Sequence, residues 1–429
     1  MRLLAGHQGG AHLPVGQPSK ETYLEQLAQH LKNGSYSTSA TTKRMAAARQ
    51  FLLYLQERAI SPEAATVAHE QGFLDCKLKS YCERHGHQAN DVSAWRWGYT
   101  SGIHMVLRLV QGQWPPVSAP ATRLEAFHGE LCDAYAQWLL AVRGLAPTTI
   151  PNRRAEAKRF LESLGERGDR SSLSSITVAD LDHYINCRAL QVRRVTRQRL
   201  ILCLRGFLRY LHAQATINRD LACTLVSSRR YAFEGIPPAL RAEHIDAVLR
   251  ATRKDRTPKG LRDYAILLLL SIYGLRAGEV TGLQLNDIDW RKDQLHIRHS
   301  KTGVESFLPL LAPVGEAIVK YLRKGRPATG TRAVFLRARA PFQPLRAGSS
   351  LYHLVEHRLQ TAGIRLDRKH GPHAFRHARA VSLLDAGVPL KSIGDVLGHR
   401  STEATAVYLK LATSELRAVG LEIPVEVSQ

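Results

Sequence analysis

Two proline pairs set the strongest limit on how this chain can fold, because a Pro-Pro step neither continues a helix nor supplies donors to a sheet. The pairs are Pro115-Pro116 and Pro237-Pro238. At 429 residues the chain is also too long for one ordinary domain. The sequence therefore predicts four parts: a helical N-terminal extension over residues 1–115, a helical domain over 120–228, a third domain over 236–420 and a tail over 421–429.

The charge of the chain is strongly positive. It has 60 Lys and Arg residues against 37 Asp and Glu, which gives a formal net charge of +23 and a pI near 10.1. Such an excess repels itself in a compact protein and favours a polyanionic partner, most commonly nucleic acid. From composition alone, a basic solvated surface explains the charge equally well. Charge therefore makes DNA a candidate partner without deciding the question.

The cysteines and apolar segments indicate the cellular compartment. Six cysteines are scattered without a Cys-x-x-Cys pair, which is typical of reduced thiols in a cytosolic protein. The first residues contain too short an apolar run for a signal peptide. The longest apolar stretch, Tyr264–Tyr273, is about half of a membrane span and predicts a buried core helix. We expect a cytoplasmic, nucleoid-associated protein with no membrane partner.

The first two segments are predicted to be helical, because apolar residues recur at helical spacing throughout both. They share a weak similarity between Ala46–Arg58 and Ala155–Arg167, each of which follows a Thr-Thr pair. The similarity favours a duplicated helical module that clamps DNA, with residues 1–115 as the second copy. The alternative is that any two amphipathic helices with a basic face resemble each other.

Arginines concentrate on the predicted helices of the middle segment. Long basic side chains that face a duplex neutralise phosphates and release counterions. A basic solvated face explains the pattern too, but less well at this net charge. The predicted DNA-binding residues are Arg153, Arg154, Arg159, Arg193, Arg194, Arg197 and Arg199.

The third segment mixes helices with a short hairpin. Residues 293–300 and 304–310 alternate in the manner of strands around the turn Lys301-Thr302-Gly303. Helical periodicity both precedes and follows this hairpin. The predicted fold class is therefore mainly α with a small antiparallel β-sheet in the C-terminal domain, that is, α+β.

Six residues of the third segment form a candidate set for cutting a DNA backbone without hydrolysis. The reaction needs a nucleophile that stays attached, cations that stabilise charge on the phosphate, and an acid that protonates the departing 5′ oxygen. Each residue alone is weak support, since a tyrosine on an amphipathic helix usually belongs to a core or a surface. Their combined order along the chain is what points to this chemistry. The six are Arg276, Lys301, His373, Arg376, His399 and Tyr408.

These motifs resemble the tyrosine recombinase (phage integrase) family. The family pattern contains Gly-Leu-Arg-x-x-Glu, a hairpin Lys, His-x-x-Arg, Leu-Gly-His and a Tyr about nine residues further on. The resemblance covers residues 236–415 and implies a catalytic tyrosine recombinase domain over 236–420. It extends loosely over residues 120–228, which look like the family's helical core-binding domain. After the His-x-x-Arg-His, Ala378 and Arg379 depart from the family's usual hydroxyl and apolar residues.

The resemblance assigns a role to each catalytic candidate. Tyr408 would be the nucleophile, although a neutral phenol with an ordinary pKa near ~10 attacks poorly unless cations ease its ionisation. Arg276 and Arg376 would grip the non-bridging phosphate oxygens with their guanidinium groups. Lys301 would protonate the leaving 5′ oxygen, and His373 would help to deprotonate the tyrosine.

Two further residues receive supporting roles from the same resemblance. His399 would hydrogen-bond a phosphate oxygen in the transition state. Glu279 would be a buried brace for the neighbouring basic groups. No metal or cofactor is implied, because this cationic set differs from the clustered carboxylates of a two-metal nuclease.

The resemblance implies a site-specific DNA recombinase of a mobile genetic element, acting through a 3′-phosphotyrosyl intermediate in integration, excision or transposition. Its partners would be double-stranded DNA with specific recombination sites and further copies of the chain, as a dimer on one site and a tetramer in the synaptic complex. Accessory or paralogous recombinases are further candidate partners. Two alternatives stay open: a type IB topoisomerase-like DNA relaxase, and a non-catalytic, sequence-specific DNA-binding protein.

Overall fold

The structure is a computed structural model. It describes residues 20–116, 119–192, 194–226, 239–299, 303–346, 348–366, 370–399, 405 and 408. The predicted site residues Arg193 and Lys301 and the predicted tail lie outside the described residues. The chain divides into two compact units, Val117–Glu234 and the remainder, Met1–Pro116 with Gly235–Gln429. The division into three domains remains a prediction.

Residues 20–116 form four helices around a hydrophobic core of their own. The helices are α1 (Lys20–Asn33), α2 (Thr38–Gln56), α3 (Val67–His85) and α4 (Val92–Gln111). Side-chain caps explain two of the starts, since Ser37 accepts a hydrogen bond from the Ala40 amide and Asp91 accepts one from the Ala94 amide. The core is aliphatic and aromatic, and includes Leu27, Leu31, Phe51, Leu55, Phe73 and Ile103.

The unit Val117–Glu234 is also built on four α-helices within its described part. They are α5 (Arg123–Ala141), α6 (Ile150–Ser163), α7 (Val178–Gln191) and α8 (Arg194–Ala213). A hydrogen bond from the Glu125 amide to the Thr122 hydroxyl starts α5, and a capping box between Thr177 and Asp180 starts α7. Its core includes Tyr135, Phe160, Leu181, Leu204, Phe207 and Leu211.

The third segment combines helices with one small sheet. Its helices are α9 (Ala242–Lys254), α10 (Pro258–Ile272), α11 (Ala277–Gly282), α12 (Ala312–Lys324), α13 (Ser349–Thr361), α14 (Pro372–Asp385) and α15 (Leu390–Leu397). Its strands are β1 (Ile288–Asp289), β2 (Gln294–His299) and β3 (Val304–Pro309). The predicted fold class, mainly α with a small antiparallel sheet, is confirmed.

The sheet has the order β1-β2-β3 with antiparallel pairing throughout. In the register of β2 and β3, Ile297 lies opposite Ser306 and His299 lies opposite Val304. Alternate residues of β2 are buried, so Leu295, Ile297 and His299 share the inner face. The predicted hairpin therefore exists, and the last inward side chain before its turn is a histidine.

Helix α10 is the centre of the third segment's core. Its run from Ala265 to Leu270 is buried, and it packs against α9, α12 and α14. This explains why the stretch has apolar residues on every face. The prediction of a buried core helix is confirmed for this run. No helix in the described ranges has the length and apolar character that a membrane crossing requires.

A buried ion-pair network joins α10 to α13. Asp263 is fully buried, and its Oδ2 accepts a hydrogen bond from Arg358 Nε at 2.8 Å. Arg358 Nη1 also donates to Asp255 Oδ2 at 2.8 Å. Burial raises the pKa of Asp255, but hydrogen bonds from Thr257 and Arg358 outweigh burial, so the pKa lies below its ordinary value. The buried part of the network, Asp263 with Arg358, holds two core helices together, and Asp255 extends it to a partly exposed position.

We predict that Arg358→Leu destabilises this segment by about 1–3 kcal/mol, because Asp263 Oδ2 loses its buried donor while Arg262 still donates to Oδ1. Amide hydrogen exchange in α10 and α13 measures the loss. The matched control is Arg154→Leu, whose pair with Asp133 is as short, at 2.7 Å, but 41% and 66% exposed. The control should cost less than about 1 kcal/mol in α5 and α6. Equal losses in the two variants would contradict the argument from burial.

Candidate active site

Arg276 lies at the junction between α10 and α11. Gly274 follows the C-terminal end of α10 and has φ of +65°, a left-handed conformation that glycine adopts without strain. Arg276 is then the N-cap residue of α11. Its Nη1 donates to Glu279 Oε1 at 2.7 Å, and its Nη2 donates to the Gly398 carbonyl at 3.1 Å. A carboxylate and a backbone carbonyl thus fix the direction of the guanidinium.

Glu279 is a buried carboxylate among basic groups. Besides the Arg276 side chain it accepts the Arg276 amide at 2.7 Å, and His299 Nδ1 lies 2.7 Å from its Oε1. Burial raises the pKa of this carboxyl, but hydrogen bonds from His299 and Arg276 outweigh burial and lower the pKa to about 2. Glu279 is therefore ionised at neutral pH and has the contacts that a brace requires.

Arg376 is buried on α14 and faces two helix ends. Its Nη1 donates to the Gly274 carbonyl at 2.9 Å, and its Nη2 donates to the Leu397 carbonyl at 2.5 Å. Burial and the charge of Arg276 both lower the pKa of Arg376. The guanidinium stays protonated, because an arginine pKa starts far above neutrality. The structure thus places two arginine cations near each other.

Tyr408 is 3% exposed and packs against Ala380, Leu384, Ile393 and Leu397. Burial raises the pKa of Tyr408, whereas the charge of Arg376, a hydrogen bond with Arg376 and the charge of Arg276 act to lower it. The net shift is upward, so the phenol is protonated at neutral pH. Its two neighbouring cations are placed to stabilise the ionised form.

His399 and His377 both lie close to the Tyr408 ring. The ring centroids of His399 and Tyr408 are 6.2 Å apart with nearly parallel planes, and those of His377 and Tyr408 are 5.4 Å apart. His399 Nδ1 also hydrogen-bonds Thr405 Oγ1 at 2.8 Å. Burial, Arg376 and Arg276 lower the pKa of His399 to about 4. The ring is therefore neutral at pH 7.

His373 lies one helical turn before His377 on α14, and the two rings stack with centroids 5.8 Å apart. His373 is exposed, while His377 is half-buried. Burial, His373 and Arg376 lower the pKa of His377 to about 4. A row of imidazoles therefore leads from the surface of α14 to the phenol of Tyr408.

The structure brings together most of the predicted catalytic set. Arg276, Arg376, His399 and Tyr408 converge, and His373 reaches the group through His377. Lys301 lies outside the described residues. Within the described ranges, no group of three or more His, Cys, Asp and Glu side chains is placed to hold a metal ion.

Sequence reasoning missed two histidines of this site, His299 and His377. His377 directly follows the His-x-x-Arg motif, so its place in the sequence already pointed to it. His299 could have been found from the strand alternation, which puts it on the buried face of β2. The departure at Ala378 is accommodated in the core, where Ala378 is 8% exposed.

The predicted DNA-binding arginines of the middle segment differ in their surroundings. Arg154 is paired with Asp133 and Arg159 with Glu156, so part of their charge is already compensated. Arg153 Nη1 donates to the Leu202 carbonyl at 3.1 Å. The remaining described members are on α8, where Arg197 and Arg199 are exposed and Arg194 is half-buried.

Four arginines surround a small cavity on the described part of this unit. The cavity has a volume of about 210 Å³, and the residues that line it include Trp138 and Gly206 but no carboxylate. A Cβ atom at Gly206 would lie 2.8 Å from Arg153 Nη1, so glycine permits this close approach. The four arginines are Arg143, Arg153, Arg205 and Arg209. Sequence reasoning found Arg153 and missed the other three.

Comparison with known proteins places the chain in a family. The model of the phage integrase family matches residues 238–415. The Sinorhizobium fredii (strain NBRC 101917 / NGR234) protein y4gC, a predicted integrase/recombinase, is 54% identical over 44% of this chain and 97% of its own length. A second predicted integrase/recombinase of that strain, y4rA, is 30% identical over 94% of this chain and 94% of its own length.

Solved structures share the fold. The XerH site-specific recombinase bound to a palindromic difH substrate has a TM-score of 0.55 at 15% identity, over 93% of this chain and 95% of that chain. A lambda integrase tetramer bound to a Holliday junction has a TM-score of 0.51 at 17% identity, over 75% of this chain and 87% of that chain. Because the identity with y4rA extends over nearly the whole of both chains, this protein belongs to the phage integrase family and is a tyrosine recombinase enzyme.

Proposed function

We propose that this protein is a site-specific DNA recombinase that cuts and rejoins DNA through a 3′-phosphotyrosyl intermediate at Tyr408. The observation that carries the proposal is the convergence of two arginine cations, Arg276 and Arg376, on one buried phenol. A covalent protein–DNA bond keeps the broken phosphodiester activated for rejoining. The reaction therefore requires no energy-carrying cofactor.

The proposed cleavage exchanges one ester bond for another. The Tyr408 oxygen attacks the phosphorus and forms the 3′-phosphotyrosyl bond, while the bond from phosphorus to the 5′ oxygen breaks. His373 accepts the phenolic proton, and Lys301 supplies a proton to the leaving 5′ oxygen. Attack of a 5′ hydroxyl on the phosphotyrosine reverses each transfer and rejoins the strand.

Charge stabilisation is assigned to the two arginines. The bidentate guanidinium groups of Arg276 and Arg376 match the non-bridging oxygens, on which charge develops in the transition state. His399 is the proposed hydrogen-bond partner of a phosphate oxygen. Since its pKa is about 4, this ring contacts the phosphate without adding a further charge at neutral pH.

Recombination joins two DNA sites, so we propose a dimer on each site and a tetramer in the synaptic complex. The lambda integrase with this fold was solved as a tetramer on a Holliday junction, which supports this assembly. The relatives y4gC and y4rA are predicted integrase/recombinases, which supports a role in the integration, excision or transposition of a mobile element. Such an enzyme would act on DNA at the nucleoid, in the cytoplasm.

The middle unit supplies the proposed core-binding contacts to DNA. The cavity lined by Arg143, Arg153, Arg205 and Arg209 concentrates positive charge, with no acidic residue in its lining. A backbone phosphate is an anion that guanidinium groups bind well. We assign this cavity to one DNA phosphate, beside the contacts proposed for Arg194, Arg197 and Arg199.

Residues 1–115 are proposed to be a second module that contacts DNA. Lys43, Arg49, Arg58 and Lys79 are exposed on α2, on the turn that follows it and on α3. Their charges suit contacts to phosphates rather than to base edges. The segment has a core of its own from Tyr23 to Trp114, which supports treating it as a module.

We predict that Tyr408→Phe abolishes the covalent complex and leaves DNA affinity within about twofold, because only the phenolic oxygen is lost. A suicide substrate nicked beside the cleavage point traps the complex on a denaturing gel. Tyr321→Phe is the matched control, since Tyr321 is also buried but its hydroxyl accepts the Leu336 amide. A covalent band that persists in Tyr408→Phe would show that another residue is the nucleophile.

We predict that Arg205→Ala and Arg209→Ala each weaken binding to all DNA sequences alike. Affinity falls as salt rises, and loss of one phosphate contact makes the negative slope of log affinity against log salt shallower by about 0.9. Titrations at several salt concentrations measure the slope. Arg170→Ala is the control, because Arg170 is 82% exposed, contacts Glu130 loosely at 3.9 Å and otherwise lies over the Phe127 ring, away from the cavity lining. An unchanged slope in both cavity variants would rule out the phosphate assignment.

We predict that deletion of residues 1–115 shortens the footprint on a single site and reduces the salt dependence of binding, because phosphate contacts are lost. Footprinting and salt titration of the truncated protein provide the two readouts. An unchanged single-site footprint with loss of the paired-site complex would instead indicate a protein-docking module. Normal binding, pairing and recombination would contradict both roles.

A further inference from the structure

His299 connects three separate parts of the active-site region. It is the last residue of β2, and its side chain is completely buried. One ring nitrogen, Nδ1, lies 2.7 Å from Glu279 Oε1 on α11. The other, Nε2, lies 3.0 Å from Ser306 Oγ on β3. A single imidazole therefore links the hairpin to the helix that begins at the arginine of the site.

The chemistry of these partners determines how the ring is oriented. An ionised carboxylate only accepts hydrogen bonds, so Nδ1 must carry a proton and donate it to Glu279. In the neutral ring Nε2 then accepts a hydrogen bond from the Ser306 hydroxyl. One orientation of the ring satisfies both contacts, so the imidazole bridges α11 and the hairpin.

The glycine at the end of α15 also bears on His299. A Cβ atom at Gly398 would lie only 2.5 Å from His299 Cε1. The Gly398 carbonyl accepts the Nη2 hydrogen bond of Arg276. The imidazole thus packs against the same residue that holds the arginine, so the hairpin, α11 and the end of α15 meet at one point.

The backbone of His299 also makes a hydrogen bond across the hairpin. The Gly303 amide donates to the His299 carbonyl at 2.8 Å, which closes the turn on this residue. Lys301 follows His299 by two residues. By covalent geometry alone, its Cα lies within about 7.6 Å of the His299 Cα. Where His299 is held therefore limits where the lysine can act.

We propose that His299 is a positioning residue for Lys301: by joining β2 and β3 to Glu279, it fixes the end of the strand from which the chain continues to the general acid. This inference rests on the proposed function, in which Lys301 protonates the leaving 5′ oxygen. In this proposal the buried His299 acts through Lys301 and not by contact with the phosphate. Its loss should impair the proton transfer to the leaving group more than the binding of the phosphate.

The test compares two substrates for the full-length protein. One is the ordinary nicked suicide duplex, and the other has sulfur in place of the leaving 5′ oxygen at the scissile phosphate. In both, the tyrosine–phosphorus bond forms and the bond from phosphorus to the 5′ atom breaks. A 5′ thiolate leaves without a proton, because a thiol is far more acidic than an alcohol. The sulfur substrate therefore reports cleavage that does not depend on Lys301.

For His299→Ala we expect single-turnover cleavage of the ordinary substrate to fall about 100-fold, the size of effect caused by a misplaced catalytic group. With the sulfur substrate the variant should cleave within a few-fold of the wild type. His299→Asn should retain more activity on the ordinary substrate, since its amide can still donate to Glu279. Ser306→Ala should show a smaller defect with the same rescue by sulfur.

Equal losses on both substrates would overturn the proposal, because His299 would then act through Arg276 or through stability. No loss on either substrate would overturn it as well. Tyr321→Phe controls for the removal of a buried hydrogen bond elsewhere in the third segment. Lys301→Ala separates this inference from the proposed function. If sulfur fails to rescue Lys301→Ala, Lys301 is not the acid, and the role that the proposed function gives to Lys301 is what fails.

Discussion

The rest of the active site depends on the hydrogen bonds that the ionised carboxylate of Glu279 accepts from Arg276 and His299. Two arginines near each other repel, and the charge of Arg276 is one of the causes that lower the pKa of Arg376. Glu279 opposes this repulsion by accepting hydrogen bonds from Arg276 and from His299. Buried charges are tolerated only when they are paired and hydrogen-bonded in this way. Without the Glu279 carboxylate, burying the two arginine cations that the reaction needs would be unfavourable.

The buried cations also affect the protonation of the aromatic side chains near them. Burial lowers the pKa values of His377 and His399 to about 4, and Arg376, which opposes the rise in the pKa of Tyr408, adds to the effect at both; His373 contributes at His377 and Arg276 at His399. At neutral pH the two imidazoles are therefore uncharged beside a protonated phenol. Positive charge comes from the arginines, whose positions are set before DNA arrives, so little reorganisation is needed as charge develops.

Helix ends hold the arginines in place. The last carbonyls of a helix lack partners within the helix and lie at the negative end of its dipole. Arg376 donates to the carbonyl of Gly274, which lies just after α10, and to the carbonyl of Leu397, the last residue of α15. Arg276 uses that of Gly398, a left-handed residue against which the His299 ring packs closely. Glycine therefore has a structural reason in both the Gly-Leu-Arg and the Leu-Gly-His motif: Gly274 and Gly398 are left-handed, and their carbonyls accept hydrogen bonds from the two arginines.

The sequence by itself determined the helices, the hairpin, the fold class and the order of catalytic candidates. Apolar periodicity, glycine stops and short motifs are local signals, and they predicted the buried α10 as well as Arg276, Arg376, His399 and Tyr408. Only the tertiary structure decided what these residues touch: the link through His299, and the arginine-lined cavity in the middle unit. The physical reason is that burial, charge proximity and hydrogen-bond partners depend on residues distant in sequence, which no local pattern specifies.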